Sequence, residues 1–319
     1  MTDNLIEVIV KSKTMETPDI AVFEVRRPDG TPLPPFDAGA HIDVHLTSGL
    51  VRQYSLCNPP SETLRYLIGV LATPDSRGGS RAMHERLSEG DTLKIGAPRN
   101  LFALDAGAPH SLLFAGGIGI TPLLAMAEQL NQADRPFALH YFTRSRRQTA
   151  FISRLSGAAY AERVTHHFDD EPDSAQDIAS LLHNAPAGAH LYVCGPKGFM
   201  DAVLSTARDA GWETDRLHFE FFGEQAASGA DHGFDLLLAR SGRVLRVAPD
   251  QTVLKALIAA GLSIPTACEQ GICGTCLTRV LGGTPDHRDQ YLTPEEQAAG
   301  DQFLPCCSRS LTARLEIDL

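Results

Sequence analysis

Short alternating or unbroken hydrophobic runs, separated by turn residues, dominate the first hundred positions. Residues 5–10, 20–26, 41–46, 64–71 and 92–95 read as strands. In the third, Ile42, Val44 and Leu46 alternate with polar neighbours, the two-residue period of a sheet with one buried face. Asp29-Gly30, Ser48-Gly49 and Glu89-Gly90-Asp91 punctuate these runs. Strands this short predict a small antiparallel barrel, with one helical pattern in Ala82, Met83 and Leu87. From Ser111 the rhythm changes: strands over 111–115, 137–143, 163–168, 190–194 and 217–222 alternate with helices that begin near Thr121, Thr149, Ser174 and Gly198. That alternation predicts a doubly wound parallel sheet. A polar, small-residue linker runs from Gly223 to Asp231. Beyond it come strands over 234–239 and 243–248 around a Ser241-Gly242 turn, a helix over 252–260 closed by Gly261, and strands over 277–281 and 313–317. These make a unit of β-grasp size. The expected chain is multidomain, with segments 1–104, 105–224 and 233–319.

The 319 residues, 43% hydrophobic and 21% charged, suffice for two or three domains with cores of their own. A net charge of -11 argues against nucleic acid as a partner, since phosphate binding needs a basic face. The uncharged run 111–127 is broken by Gly116, Gly117, Gly119 and Pro122, so it reads as a buried strand and a helix start, and no membrane association is expected. Met1-Thr-Asp-Asn-Leu-Ile-Glu7 lacks the basic and apolar regions of a signal peptide. The seven cysteines are not spaced as a disulfide framework, which points to a reducing, cytoplasmic setting.

Those cysteines carry the strongest chemistry. In Cys268-Glu-Gln-Gly-Ile-Cys273-Gly-Thr-Cys276 four residues and then two separate the thiols, the spacing with which a plant-type ferredoxin loop wraps a [2Fe-2S] cluster. Gly271, Gly274 and Thr275 let such a loop curl and aim backbone N–H groups at sulfur. A fourth thiol must come from Cys306 or Cys307, in Phe303-Leu-Pro-Cys-Cys-Ser-Arg309. A zinc site also takes four thiolates but draws them as two short pairs.

Three other stretches suit phosphates and planar rings. Arg52-Gln-Tyr54-Ser55 offers a cation, an aromatic ring and a hydroxyl along a strand, and Arg77-Gly78-Gly79-Ser80 puts a glycine turn at a helix N-terminus. Gly116-Gly117-Ile-Gly119-Ile-Thr121-Pro122 closes a strand and opens a helix, with Thr121 the expected N-cap; Cys194-Gly195-Pro196-Lys-Gly198 follows a later strand in the same way. Both turns fall at carboxyl ends of strands, where ligands of such sheets bind.

In this order the motifs, with His218-Phe-Glu-x-Phe-Gly223 and the cysteine set, resemble the phthalate dioxygenase reductase family over essentially the whole chain. The resemblance implies an antiparallel β-barrel flavin domain, an α/β nucleotide domain and a C-terminal ferredoxin domain. It implies FMN, because FAD generally accompanies the reverse domain order, together with NADH and a [2Fe-2S] cluster. Tyr54 and Ser55 would line the flavin ring, Ser55 near N5, while Arg52, Arg77, Gly78, Gly79 and Ser80 would hold the phosphate. Gly117, Gly119, Thr121, Cys194 and Gly195 would form the nicotinamide and pyrophosphate site, and Phe222 would cover the flavin until nicotinamide displaces it. Cys268, Cys273, Cys276 and Cys306 would be the cluster ligands: adjacent residues of an extended segment point apart, so only one of Cys306 and Cys307 can serve, and the resemblance, in which the first cysteine of the final motif is the ligand, together with the spacing from Cys276 favours Cys306.

A nicotinamide gives two electrons as hydride and a ferredoxin cluster takes one, so a flavin must stand between them. Ser55, Cys194 and Phe222 are then holders and tuners at the reacting ring, and no protein acid or base is demanded. The implied partner is a terminal Rieske-type oxygenase acting on an aromatic ring or as a demethylase. A stand-alone NAD(P)H reductase of quinones is the alternative, and a zinc-stapled nucleotide-binding module a further one. The end of the second parallel strand reads Thr143-Arg144-Ser145-Arg146-Arg147 where dinucleotide folds choosing NAD place an acid. That rule predicts NADPH and the resemblance implies NADH; NADH is the expected donor, with NADPH left open.

Overall fold

Seven antiparallel strands build the N-terminal sheet: β1 (Ile6–Met15), β2 (Ile20–Arg26), β3 (Ala40–His45), β4 (Val51–Ser55), β5 (Tyr66–Leu71), β6 (Thr92–Ile95) and the short β7 (Arg99–Asn100). In the computed structural model, which describes residues 5–46, 51–73, 79–171, 177–222, 232–249, 251–266, 271, 274–289 and 291–319, their order is β4-β3-β6-β1-β2-β5, with β7 on β3. A bridge between Leu56 and Ile68 brings the end of β4 to β5 and closes the barrel. Its filling is what strand alternation dictates: Val8, Val10, Phe23, Ile42, Val44, Ile68 and Val70 point inward, with Met83 of α1 (Gly79–Arg86) inserted among them.

Five parallel strands follow, β8 (Ser111–Gly116), β9 (Phe137–Thr143), β10 (Val164–Phe168), β11 (His190–Gly195) and β12 (Leu217–Phe221), in the order β10-β9-β8-β11-β12. The strand order reverses between β8 and β11, which places a ligand crevice at their carboxyl ends. Helices α2 (Ile120–Gln132), α3 (Ile152–Ser156), α4 (Ile178–His183) and α5 (Lys197–Asp209) complete the wind. One face of the sheet buries Leu113, Leu123, Met126 and Tyr141 together with Ile20, Val22, Ala38 and Cys57 of the barrel. A β-carbon on Gly69 of β5 would lie 2.8 Å from the Thr121 methyl, so α2 rests directly on the barrel wall. Barrel and parallel sheet therefore belong to one compact unit, Met1–Phe222.

Local chemistry moves several expected helix starts. Thr121 is not an N-cap: α2 begins at Ile120, and the Thr121 hydroxyl donates to the Ile118 carbonyl at 3.1 Å. Thr149 opens no helix either; its buried hydroxyl bonds to Thr143 Oγ1 at 2.7 Å and to the Ser145 carbonyl at 2.8 Å, and α3 starts at Ile152. The start near Ser174 lies outside the described residues, and Asp177 caps α4 by accepting from the Ser180 N–H.

The second unit, Gly223–Leu319, orders its strands β14 (Arg243–Val247), β13 (Phe234–Leu238), β19 (Arg314–Ile317), β15 (Thr278–Gly282) and β17 (Gln302–Phe303). β16 (Pro285–Asp286) and β18 (Arg309–Ser310) form a small ribbon. α6 (Val253–Ala259) is capped by Thr252, and α7 (Pro294–Ala299) carries a full capping box from Thr293 and Glu296. Buried Arg309 donates to the carbonyls of Gln251, His232 and Ala248 and stacks over Phe234, tying β18 to the hairpin end of the sheet. Cys276 and Cys306 sit within the core that Phe234, Leu257, Phe303 and Leu315 make.

Candidate flavin, nicotinamide and iron-sulfur sites

β4 is an edge strand of the barrel sheet, and its alternation sends Arg52 and Tyr54 to one side and Ser55 to the other. On the first side Arg52 crosses the start of α1, where a β-carbon on Gly79 would stand 2.5 Å from its Nε. Glycine at 79 thus lets the guanidinium approach the free N–H groups of the first helical turn, the cationic and dipolar surroundings that a phosphate needs. Arg77 and Gly78 lie outside the described residues. Ser80 is present beside them, its hydroxyl 3.1 Å from that of Thr73. Tyr54 is half-buried, and desolvation pushes its phenol up to about 12 against the pull of Arg52, so the ring is neutral and able to stack.

On the opposite side Ser55 Oγ donates to Glu220 Oε2 of β12 at 3.2 Å. Glu220 is 7% exposed, and burial raises its carboxyl to about 7 although the Ser55 hydrogen bond lowers it. His41, the register partner of Ser55 on β3, is also buried and holds Nδ1 3.8 Å from Glu220 Oε1. Neither group stands out in the sequence: Glu220 is an acid between two phenylalanines in His218-Phe-Glu-x-Phe-Gly223, and His41 sits in the polar phase of a strand. Only the pairing of β3 with β4, and of β11 with β12, brings them together.

The two glycine turns of the parallel sheet face each other across the β8–β11 crevice. A β-carbon on Gly119 would fall 2.1 Å from the Cys194 carbonyl oxygen, and one on Gly195 would meet Gly116 at 2.9 Å. Gly117 has φ +51° with open space beside it, and only a residue without a side chain takes that conformation cheaply. Close backbone approach, which a side chain on Gly119 or Gly195 would block, shapes these turns. Thr121 is buried against the barrel, and Cys194 is fully buried beside Glu220, its thiol raised by burial first and the Glu220 charge second. Phe222, just past β12, is 40% exposed.

At the expected dinucleotide-selecting position, Arg146 is engaged. Its Nε and Nη2 donate to Glu171 at 2.7 and 3.1 Å, and its guanidinium lies 4.5 Å over the Phe168 ring. An acid does reach this place, but from the end of β10.

In the second unit the described part of the cysteine loop is tightly closed. Gly271 and Gly274 have φ of +75° and +70°; a β-carbon on the first would lie 2.4 Å from Cys307 Sγ and on the second 2.3 Å from the Tyr291 ring. Cys306 hydrogen-bonds with the Cys276 side chain, which lowers its pKa, but Cys307 and burial outweigh this and push the thiol up; the Gly271 backbone also bonds to it. Two buried thiols within hydrogen-bond reach of each other, one of them also bonded to a loop backbone, fit iron-sulfur ligation. Cys268 and Cys273 fall outside the described residues. One expectation needs correcting: Cys306 and Cys307 are not in an extended segment but in a turn, where the N–H groups of Cys307 and Ser308 both donate to Leu304 O. The two thiols differ in surroundings: Cys306 is buried, while Cys307 is half-exposed and, besides its hydrogen bond with Cys306, directs its Sγ to Leu304 O and Ser308 Oγ at 3.7 Å.

Residues 237–311 match the 2Fe-2S iron-sulfur cluster binding domain family, and residues 96–217 match the N-terminal domain of dimethylamine monooxygenase subunit DmmA-like proteins. Vanillate O-demethylase oxidoreductase of Pseudomonas putida is 54% identical over 317 residues, covering 99% of this chain and 100% of that one. Tetrachlorobenzoquinone reductase of Sphingobium chlorophenolicum is 42% identical over 98% of both chains. The solved structure of phthalate dioxygenase reductase, described as a modular structure for electron transfer from pyridine nucleotides to [2Fe-2S], superposes with a TM-score of 0.79 at 38% identity, covering 99% and 98% of the two chains.

Proposed function

Because the chain belongs to the phthalate dioxygenase reductase family, we propose that it is the reductase component of a two-component Rieske oxygenase that demethylates or hydroxylates an aromatic substrate. It binds a flavin and a nicotinamide and carries a [2Fe-2S] domain. FMN is the flavin we assign, with Arg52, Gly79 and Ser80 at its phosphate, Tyr54 against the ring and Ser55 at its reacting edge. When bound, the flavin takes hydride from reduced nicotinamide and passes the two electrons on singly, leaving a proton behind.

The protein's own part is to hold, orient and exclude water. Gly117, Gly119 and Gly195 let a dinucleotide approach the backbone in the β8–β11 crevice. Exposed Phe222 shields the ring until the nicotinamide arrives. Ser55 Oγ and Glu220 Oε2 hold a proton between them at the ring edge, with Cys194 filling the space behind. Cys268, Cys273, Cys276 and Cys306 bind the cluster. NADH is the donor we assign, since the guanidinium of Arg146 is neutralised by Glu171 in the place where an NADPH phosphate needs a free cation.

The observation that carries this reading is the meeting of Ser55, on a barrel strand beside Arg52 and Tyr54, with Glu220 of the nucleotide sheet. It joins two ligand sites at one buried point. The purified protein should be orange-brown, release FMN on denaturation and be bleached by NADH. Chromatography of the released flavin tests this, and FAD or a colourless zinc protein would overturn it. The 42% identity to a tetrachlorobenzoquinone reductase favours a second reading, direct reduction of quinones. It predicts that a benzoquinone outcompetes a Rieske oxygenase for the electrons.

A further inference from the structure

Gly116 and Gly195 end β8 and β11 side by side, in the register that pairs Ala115 with Cys194. Neither needs glycine for its backbone: Gly116 has φ -107° and ψ 115°, an extended conformation open to any residue, and Gly195 has no positive φ. Room is what both supply. A β-carbon on Gly116 would stand 2.7 Å from Phe199 Cδ1, with Pro196 Cδ next at 3.0 Å, and one on Gly195 would stand 2.8 Å from the same Phe199 atom. One ring edge therefore fills the angle between the two turns. Phe199 lies in the first turn of α5, is half-buried, and reaches the glycines from the face of the sheet opposite Cys194. The ring cannot retreat. Behind it stands Phe142, the centroids 5.1 Å apart, and Phe142 stacks on His167 at 4.3 Å. His167 shares a 3.1 Å hydrogen bond with His140, and both imidazoles are buried. Packing this close yields little to a displaced ring.

We infer that Phe199 is a positioning residue for the nicotinamide dinucleotide: its ring edge holds the two glycine turns at a fixed opening and so sets dinucleotide affinity, without taking part in hydride transfer. The inference rests on the assignment of these turns to the dinucleotide. Turns built on Gly116, Gly117, Gly119 and Gly195 carry no side chain that a ligand would have to displace. Chain without side chains is also loose, and ordering it on binding lowers affinity. A ring wedged beneath the turns orders them beforehand. The wedge is itself anchored, because Met200, Val203 and Leu204 of α5 are buried in the core on that face of the sheet. Pro196, Lys197 and Gly198 are exposed, and Lys197 Nζ is turned to Asp201 at 2.8 Å, which leaves the ring as the fixed element of this turn. Cys194 and Glu220 meet on the other face, so the effect of the ring falls on binding and not on the reacting edge.

The test uses the full-length, flavin-loaded protein and its Phe199→Ala, Phe199→Leu and Gly116→Ala variants, with flavin content measured first. Titration calorimetry with NAD+ and stopped-flow bleaching of the flavin over a range of NADH concentrations give affinity and limiting rate separately. Phe199→Ala should weaken NAD+ and NADH about tenfold and leave the limiting rate within about twofold, a loss confined to binding. Phe199→Leu, which keeps a carbon at the Cδ1 position, should recover most of that affinity. Gly116→Ala drives its methyl into the ring and should cost about tenfold in the wild-type background but less than about twofold in Phe199→Ala, because the two groups compete for one space. Losses that simply multiply in the double variant, a limiting rate that falls as far as the affinity, or a Gly116→Ala variant that binds like wild type overturn the proposal. Wild-type protein whose flavin no nicotinamide dinucleotide bleaches overturns instead the assignment beneath it.

Discussion

Two adjacent thiols compete for one coordination position, and their surroundings separate them. Cys306 is 5% exposed and bonded to Cys276, to Cys307 and to the Gly271 backbone; Cys307 is half-exposed, with its sulfur also reaching Leu304 and Ser308. Cys307→Ala should therefore keep a normal cluster with near-normal electron transfer, while Cys306→Ala should lose iron. Iron content and the reduced-state paramagnetic resonance spectrum of both variants check this, and the opposite pattern would move the ligand to Cys307. Residue types and spacing made an iron-sulfur domain legible, and residues 237–311 match that family, because ligand geometry acts over a few residues of chain. They could not reveal that Cys306 and Cys307 occupy a turn, since the turn is fixed by two N–H groups converging on Leu304 O. Nor could they expose the approach of His41 to Glu220, which comes from strands far apart in sequence.

Among elements, the alternation of strand and helix is legible in the sequence for the barrel, the parallel sheet and the ferredoxin unit, because buried faces impose their periods on the chain. Helix starts are less legible. Thr121 and Thr149 have the side chains of N-caps, yet tertiary burial turned both hydroxyls to other carbonyls. The ends of β9 and β10 show the same limit. A single-strand rule sees Arg146 and predicts NADPH, but Glu171 from the neighbouring strand end closes on that arginine. Glu171→Gln should free the guanidinium, raising kcat/KM for NADPH by roughly five-fold while leaving NADH nearly unchanged. Steady-state kinetics with both donors measure it; equal response to the two donors would remove Arg146 from the selection. The pair is exposed on both sides, so the fold should not depend on it.

At the scale of the molecule, the chain divides into two compact units. Met1–Phe222 contains both ligand turns, and its barrel and parallel sheet share one core running from Ile20 and Val22 to Leu123 and Met126. The residues proposed for flavin and nicotinamide thus share a single packed body, the arrangement hydride transfer needs because it works only at short, fixed distance. Gly223–Leu319 has a separate core built round Phe234, Leu257 and Phe303, with Cys276 and Cys306 inside it. Among the described residues no helix is long and apolar enough to cross a membrane. Chemistry in the first unit should consequently survive loss of the cluster in the second. Cys276→Ser, prepared with full flavin content, should retain most of its NADH-to-ferricyanide activity and lose by at least about a hundredfold its reduction of cytochrome c or of an oxygenase. Should both activities fall together in protein that still binds flavin, electrons would not pass from flavin to cluster in the order assigned. Ferricyanide would then be drawing on the cluster, and the exit for electrons would lie in the second unit alone.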